Sequence, residues 1–239
     1  MLDHPPTFPA LPAAFGATRA SLHLVAARVL GAARYASVGR LGLVVVPGGF
    51  ATPAFDGRQL LVIDGQLSDG THRQPITTLT DACAFAGVDP TAPTHRVLDL
   101  PADLSAPLTV ESTAARLLAD WFAFSQSLLE SLPVDPDPAG EPSAIQLWPE
   151  HFDLAREIGP PGARANYGAS PGDASIDTPY LYVGPHELLD GPFWNAPFGA
   201  ALTYDEIGQG SDPRVFFSTG GDLLRLSTSE GSEPDPTGS

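Results

Sequence analysis

Hydrophobic residues recur three and four positions apart in two segments of the chain, 18–34 and 110–132. That spacing places them on one face of an α-helix, so both segments are predicted to be helices that turn an apolar stripe toward a core. A third, shorter helix is predicted over 79–86, because a Thr-x-x-Asp capping pair begins it and Gly87 is a typical stop. The stripe of the longest helix consists of Ala114, Leu117, Leu118, Trp121, Phe122, Leu128, Leu129 and Leu132.

Short apolar runs between Gly and Pro turn signals predict strands. Asp-Gly pairs at 64–65 and 69–70 mark two turns in the first half of the chain. In the second half, 154–159 is interpreted as a turn, and a closing helix is expected over 212–226 with a break at the Gly-Gly pair 220–221. The predicted strands are 41–46, 59–63, 66–76, 144–148, 179–184 and 193–204.

Helices and strands come in separate runs and do not alternate strictly along the chain. This order favours an α+β fold with a mixed or antiparallel sheet and several packed helices, arranged in two intimate halves. Four prolines within ten residues mark the boundary between the halves. The predicted organisation is an extended N-terminal arm over 1–16, a helix-hairpin-helix half over 17–132, a Pro-rich linker over 133–142, a strand- and loop-rich half over 143–226 and a disordered tail over 227–239.

The charge of the chain excludes several classes of function. It has 28 acidic and 12 basic residues, for a net charge of −16, and every basic residue is arginine. Without lysine there is no Schiff base, no pyridoxal phosphate anchor and no P-loop lysine. The acidic balance repels phosphate backbones and anionic lipids, so neither a nucleic-acid nor a membrane partner is expected. No signal peptide or apolar run of membrane-spanning length is visible, which predicts a cytoplasmic location.

Two local features have structural interpretations. The single cysteine, Cys83, rules out an internal disulfide and a cysteine zinc cage, and its apolar neighbours predict a buried thiol. Residues 168–172, GASPG, match the nucleophile elbow of serine hydrolases, but the residue after the serine is Pro171, which has no N–H for an oxyanion hole. We therefore interpret this segment as a tight loop whose backbone Asp173 caps.

His151 and Asp153 are the strongest candidates for chemistry. On an extended segment, side chains two residues apart project to the same face, so this pair could act as acid and base. Together with His186 they would form a 2-His-1-carboxylate triad for a divalent metal ion. The alternative interpretation is structural: His151 hydrogen-bonds a loop and Asp153 caps the turn predicted over 154–159.

Aromatic residues concentrate between positions 148 and 204. Tyr180 and Tyr182 alternate on a predicted strand and therefore share one of its faces. If that face lines a cleft, it forms a small-molecule pocket, and if it faces the core, the same rings fill the interior. The candidate ligand-binding residues are Trp148, Asn166, Asp173, Tyr180, Tyr182 and Trp194.

Four blocks within residues 145–226 resemble a family of uncharacterised proteins from GC-rich bacteria: LWPEHFDLA, NYGASPGD, PYLYVGP and FWNAPFGA. The resemblance implies a shared structure and no particular activity. The chain departs from the family pattern at 185–192, PHELLDGP, where an aromatic residue is expected after the VGP block.

The hypothesis that follows is a soluble domain that binds or converts a small molecule in an aromatic-lined pocket around residues 148–186. A metal-dependent enzyme that uses the His/Asp/His triad is the first alternative. The second alternative is an acidic protein-interaction module without catalysis.

Overall fold

The chain begins with a long helix in three segments. In the computed structural model, which describes residues 9–91, 99–134 and 140–230, these are α1 (Phe15–Val25), a π-helical turn (Ala26–Gly31) and α2 (Ala32–Val38). The helix ends at Gly39, whose φ of 67° is the left-handed conformation that favours glycine. The apolar stripe predicted over 18–34 faces the core, where Leu22, Val25 and Val29 are fully buried.

The two other helices of the first half form where their local signals predict. Helix α3 (Leu79–Ala86) begins where the Thr78 side chain accepts a hydrogen bond from the Asp81 N–H, and it ends at left-handed Gly87. Helix α4 (Ser112–Glu130) begins where the Glu111 carboxylate accepts hydrogen bonds from two backbone N–H groups. The predicted stripe of α4 is buried, except that Leu117 and Leu132 are only partly covered.

Five short strands form the first sheet as an antiparallel meander in chain order. They are β1 (Val44–Val46), β2 (Gly49–Ala51), β3 (Leu61–Ile63), β4 (Gln66–Ser68) and β5 (Arg73–Pro75). The turn between β3 and β4 has positive φ at Asp64 and Gly65, as its Asp-Gly sequence predicts. Strand β2 was not predicted, because its Gly-Gly start resembles a turn. Gly49 instead allows a close approach to β3, since a Cβ there would lie 2.9 Å from the Val62 carbonyl carbon.

Five further strands form the second sheet, again an antiparallel meander in chain order. They are β6 (Gln146–Trp148), β7 (Asp153–Ile158), β8 (Ala165–Ser170), β9 (Tyr180–Pro185) and β10 (Ala200–Thr203). The turn predicted over 154–159 is wrong, because Leu154 and Ile158 are buried on the core face of β7. The strand predicted over 193–204 is confined to its last residues, since 193–199 form a loop closed by backbone hydrogen bonds between Ala196 and Gly199.

Helix α4 connects the two sheets through one core. It packs on β1 and β2 of the first sheet and on β7 and β8 of the second. The sheets also meet edge to edge, because Leu43 and Leu147 exchange two backbone hydrogen bonds of 2.8 and 3.0 Å. The two antiparallel sheets and the packed helices confirm the predicted α+β fold.

The chain closes with α5 (Tyr204–Gly208), which begins with a Thr203/Glu206 capping box, and α6 (Pro213–Glu230). The predicted break in α6 is wrong: the helix continues through Gly220, where a Cβ would lie only 3.0 Å from Val183 of β9. Glycine lets α6 approach the sheet closely. The predicted tail is also wrong for 227–230, which are helical, whereas 231–239, 1–8 of the predicted arm and 135–139 of the predicted linker lie outside the described residues.

None of the helices in the described ranges has both the length and the apolar character that a membrane crossing requires.

Candidate functional site

The two faces of the second sheet differ in what covers them. Leu154, Ala169 and Leu181 project toward the helices and are buried in the core. Residues on the opposite face alternate with them, because successive side chains of a strand point to opposite sides. Strand pairing places Ser170 opposite Tyr180 on this outer face. The shared face predicted for the two tyrosines is therefore the outer face.

A cleft of about 350 Å³ opens on this outer face. It contains both predicted acid/base residues and four of the six predicted ligand-binding residues. Its lining consists of His151, Asp153, Asn166, Ser170, Asp173, Tyr180, Tyr182, Gly184, Pro185 and Phe198.

The Asp153 carboxylate is a buried polar group of the cleft. The Tyr182 hydroxyl donates a hydrogen bond to its Oδ2 atom. The other oxygen, Oδ1, is buried and has no hydrogen-bond partner among the residues that the structure describes. Burial raises the pKa of Asp153, and the hydrogen bond from Tyr182 opposes that rise only in part. Burial and the adjacent carboxylate also raise the pKa of Tyr182 well above its ordinary value.

A second Tyr–Asp pair lies beside the first and is fully hydrogen-bonded. Tyr180 donates a 2.6 Å hydrogen bond to Asp173 Oδ2, and the backbone N–H groups of Ser175 and Ile176 donate to Oδ1. Although burial acts to raise the pKa of Asp173, these hydrogen bonds outweigh it and the pKa is lowered. The predicted capping role of Asp173 is confirmed by its two backbone contacts.

Three aromatic rings form one wall of the cleft. The ring centroid of Phe198 lies 5.7 Å from that of Tyr180 and 6.1 Å from that of Tyr182, and the two tyrosine rings are 6.3 Å apart. Tyr182 lies against Gly168 of β8, where a Cβ would come within 2.6 Å of the ring. Gly168 is therefore a strand residue that makes room for the wall, and the tight loop predicted over 168–172 begins only after Ser170.

His151 reaches the cleft by a different geometry from the one predicted. Phe152, between His151 and Asp153, has a φ of 57°, so the three residues are not extended and the shared-face argument is wrong for this pair. His151 lies exposed in the turn before β7, at the rim of the cleft. The turn is anchored from below, because the Phe152 ring is buried and packs edge-on against Phe50 and Phe122.

A partly buried histidine of the first helix supports the same turn. The His23 ring stacks on Phe152 with centroids 5.2 Å apart, and its Nε2 atom donates to the Glu150 carbonyl oxygen at 3.3 Å. Burial lowers the pKa of His23 to about 4, so the ring is neutral over the physiological range. His23 thus holds the backbone that leads into Asp153.

Three predicted site residues do not join the cleft. His186 forms an ion-pair contact with Glu157 at 2.8 Å, and Glu157 also binds Arg164 at 2.7 Å. Trp148 and Trp194 are absent from the cleft lining, and the Trp194 ring packs edge-on against Phe193. No group of three or more His, Cys, Asp or Glu side chains able to hold a metal ion occurs within 9–91, 99–134 and 140–230, so the structure does not assemble the predicted triad.

The structure adds four cleft residues that the sequence interpretation did not assign to the site: Ser170, Gly184, Pro185 and Phe198. Ser170 was assigned to a loop, although its spacing of four from Asn166 is the strand periodicity that would have placed both on one face. Its hydroxyl accepts a hydrogen bond from the Gly172 N–H, and its carbonyl accepts one from buried Trp121. Phe198 lies in the loop before β10, and nothing in its local sequence indicates which surface that loop covers.

Comparison of the chain with protein-family models, with curated proteins and with solved structures finds no match. The resemblance of the four sequence blocks to an uncharacterised family therefore stays a prediction.

Proposed function

We propose that this protein binds a small polar molecule in the cleft on the outer face of its second sheet. The observation that carries the proposal is the Asp153 carboxylate, which is buried with one oxygen unpartnered among the described residues. A buried polar atom without a hydrogen bond costs roughly 1–3 kcal/mol, so native structures rarely retain one without a compensating role. A bound molecule that donates a hydrogen bond to Oδ1 supplies that compensation.

The shape and composition of the cleft support the same proposal. Its volume of about 350 Å³ is within the range of ligand pockets. Aromatic walls give contact area, while Asp153, Asn166 and His151 offer a few convergent polar groups. The second Tyr–Asp pair ties the loop after β8 to β9 and makes the wall rigid before a ligand arrives.

A fragment screen by protein-observed NMR tests the proposal. Fragments that bind the wild-type cleft are expected to lose affinity in Asp153→Asn, which removes the charge, and in Phe198→Leu, which removes one ring of the wall. Arg214→Gln is the matched control, because Arg214 lines a separate depression between α6 and the end of α4. The proposal is wrong if no fragment shifts cleft resonances, or if both cleft variants bind the fragments as the wild type does.

Acid–base catalysis in the same cleft is a second candidate, favoured by one observation. The pKa of Asp153 is raised while that of its neighbour Asp173 is lowered, and divergent carboxyl pairs on one face are typical of acid and base assignments. Asp153 would hold the transferable proton. Turnover of chromogenic esters or glycosides by the wild type and its loss in Asp153→Asn test this role, and equal turnover by both proteins would exclude it.

A further inference from the structure

We infer that the ligand of the cleft carries a protonated amine, an inference that rests on the cleft being a binding site. The described hydrogen bonds of the cleft use both tyrosine O–H donors and leave acceptor atoms unfilled. Each tyrosine hydroxyl has a single proton, and Tyr180 and Tyr182 donate theirs to Asp173 and Asp153. Ser170 in turn donates to the Tyr180 hydroxyl oxygen, so the Tyr182 hydroxyl oxygen and Asp153 Oδ1 are the acceptors left for a ligand. A ligand that satisfies them must bring at least two N–H or O–H donors.

The charge distribution selects a cation among such donors. As the described residues form it, the lining contains two carboxylates and no arginine, its histidine, His151, lies exposed at the rim, and the chain has no lysine. Arg19, whose charge acts on Asp173, donates to the backbone carbonyls of Pro171 and Asp177 on the loop behind the cleft. A cationic ligand at Oδ1 would place an opposite charge beside Asp153 and so stabilise its ionised form, which burial alone disfavours.

The wall of the cleft matches the same chemistry. Tyr180, Tyr182 and Phe198 meet with centroids 5.7–6.3 Å apart, and aromatic π-systems attract ammonium groups. An anionic ligand is disfavoured, because it would approach two carboxylates and find donors in the Asn166 amide and in His151 at the rim. A compact primary ammonium with an apolar body satisfies the acceptor atoms, the charge and the rings together.

Four matched probes test the ligand class by calorimetry: 2-phenylethylammonium, its trimethylammonium analogue, 2-phenylethanol and phenylacetate. The primary ammonium is expected to bind at least ~10-fold more tightly than the alcohol, since one charged hydrogen bond contributes about that factor, and phenylacetate is expected to bind most weakly. The trimethylammonium compound keeps the charge without N–H donors, so it should fall between the ammonium and the alcohol.

Variants assign the preference to Asp153. Asp153→Asn should reduce the ammonium-over-alcohol ratio to about one while near-UV circular dichroism shows intact packing. Asp205→Asn, which removes an exposed carboxylate on α5, should retain the ratio and so controls for net charge.

Two results would overturn the ligand class. One is equal or tighter binding of the alcohol or the carboxylate, which would leave the cleft as a binding site for another class. The other is no binding of the ammonium probe at ~10 mM, a concentration at which even a millimolar complex forms. The proposed function itself fails only on the results of the fragment screen, which do not depend on the ligand class, so the two failures are distinguishable.

Discussion

Asp153 and Asp173 are carboxylates of one cleft, each hydrogen-bonded to a tyrosine, and their surroundings shift their pKa values in opposite directions. Two backbone N–H groups of the following loop complete the shell of Asp173 and favour its charged form. At Asp153 burial outweighs every opposing contribution and favours the neutral form. The balance between burial and hydrogen bonding separates a carboxylate that holds a loop from one whose Oδ1 atom has no partner among the described residues.

Asp153→Asn is expected to stabilise the protein at neutral pH. The folded-state pKa of Asp153 is raised above its unfolded value, so its contribution to stability is complete below the unfolded pKa of about 4 and is lost as pH rises through the folded pKa. Asparagine is neutral throughout and still accepts the Tyr182 hydrogen bond. Urea unfolding across pH 4–8 should show this loss of stability in the wild type and not in the variant. Such a difference would mean that the Asp153 carboxylate lowers the stability of the folded protein, as residues of functional sites often do. If the variant were less stable than the wild type at neutral pH, the Asp153 carboxylate would not be destabilising.

At the scale of the elements, two glycines allow helices and strands to pack closely against side chains of neighbouring elements. Gly220 lets α6 pack against β9, and Gly168 lets the Tyr182 ring lie on β8. Both glycines are in regular elements, where sequence patterns suggest a break or a loop. The physical reason for each is a contact with a residue distant in the chain, which local sequence does not contain.

Gly168→Ala is expected to destabilise the protein by roughly 1–3 kcal/mol and to weaken ligand binding, because overpacking forces a side chain to move. The new Cβ would lie within 2.6 Å of the Tyr182 ring and push it away from Asp153. Gly184→Ala is the matched control on the same face, since its Cβ would come no closer than 3.6 Å to any atom. Thermal unfolding of both variants measures the difference. Equal melting temperatures would show that the Tyr182 side chain can move away from the new Cβ without a measurable loss of stability.

At the scale of the whole molecule, one residue joins elements from the entire chain. Phe152, in the turn before β7 of the second sheet, contacts His23 of the first helix, Phe50 of the first sheet and Phe122 of α4. These contacts complement the backbone pair that links the two sheets and the helix α4 that packs on both. The candidate site is thus connected to the centre of the core through the turn that leads into Asp153.

The stability of this junction is expected to fall in mild acid. The pKa of His23 is about 4 in the folded protein, against 6.5 for an unperturbed histidine, so stability present above pH 6.5 is lost as pH falls toward 4. The loss attributable to this group is at most ~3 kcal/mol. His23→Gln should flatten the slope over this window, because glutamine has no charged form to bury. Denaturant midpoints measured at several pH values would refute the assignment if His23→Gln kept the wild-type slope.

By itself the sequence determined what depends on neighbours within a few residues. Helix α3 begins and ends at its predicted residues because Thr78 and Gly87 satisfy its terminal backbone groups locally. The stripe of α4, the turn at Asp64 and the shared face of Tyr180 and Tyr182 follow from helix and strand geometry in the same way. The α+β class followed from the order of these elements.

Only the tertiary structure decided which surfaces face each other. His186 pairs with Glu157 and not with Asp153, and the left-handed Phe152 separates His151 from the strand, because both outcomes depend on packing between distant segments. The outer face of the second sheet became a cleft because the loops after β8 and before β10 place Asp173 and Phe198 beside the strands. Whether Asp153 Oδ1 finds a donor depends on every element around it, and for that reason the site's central feature was not visible in the chain alone.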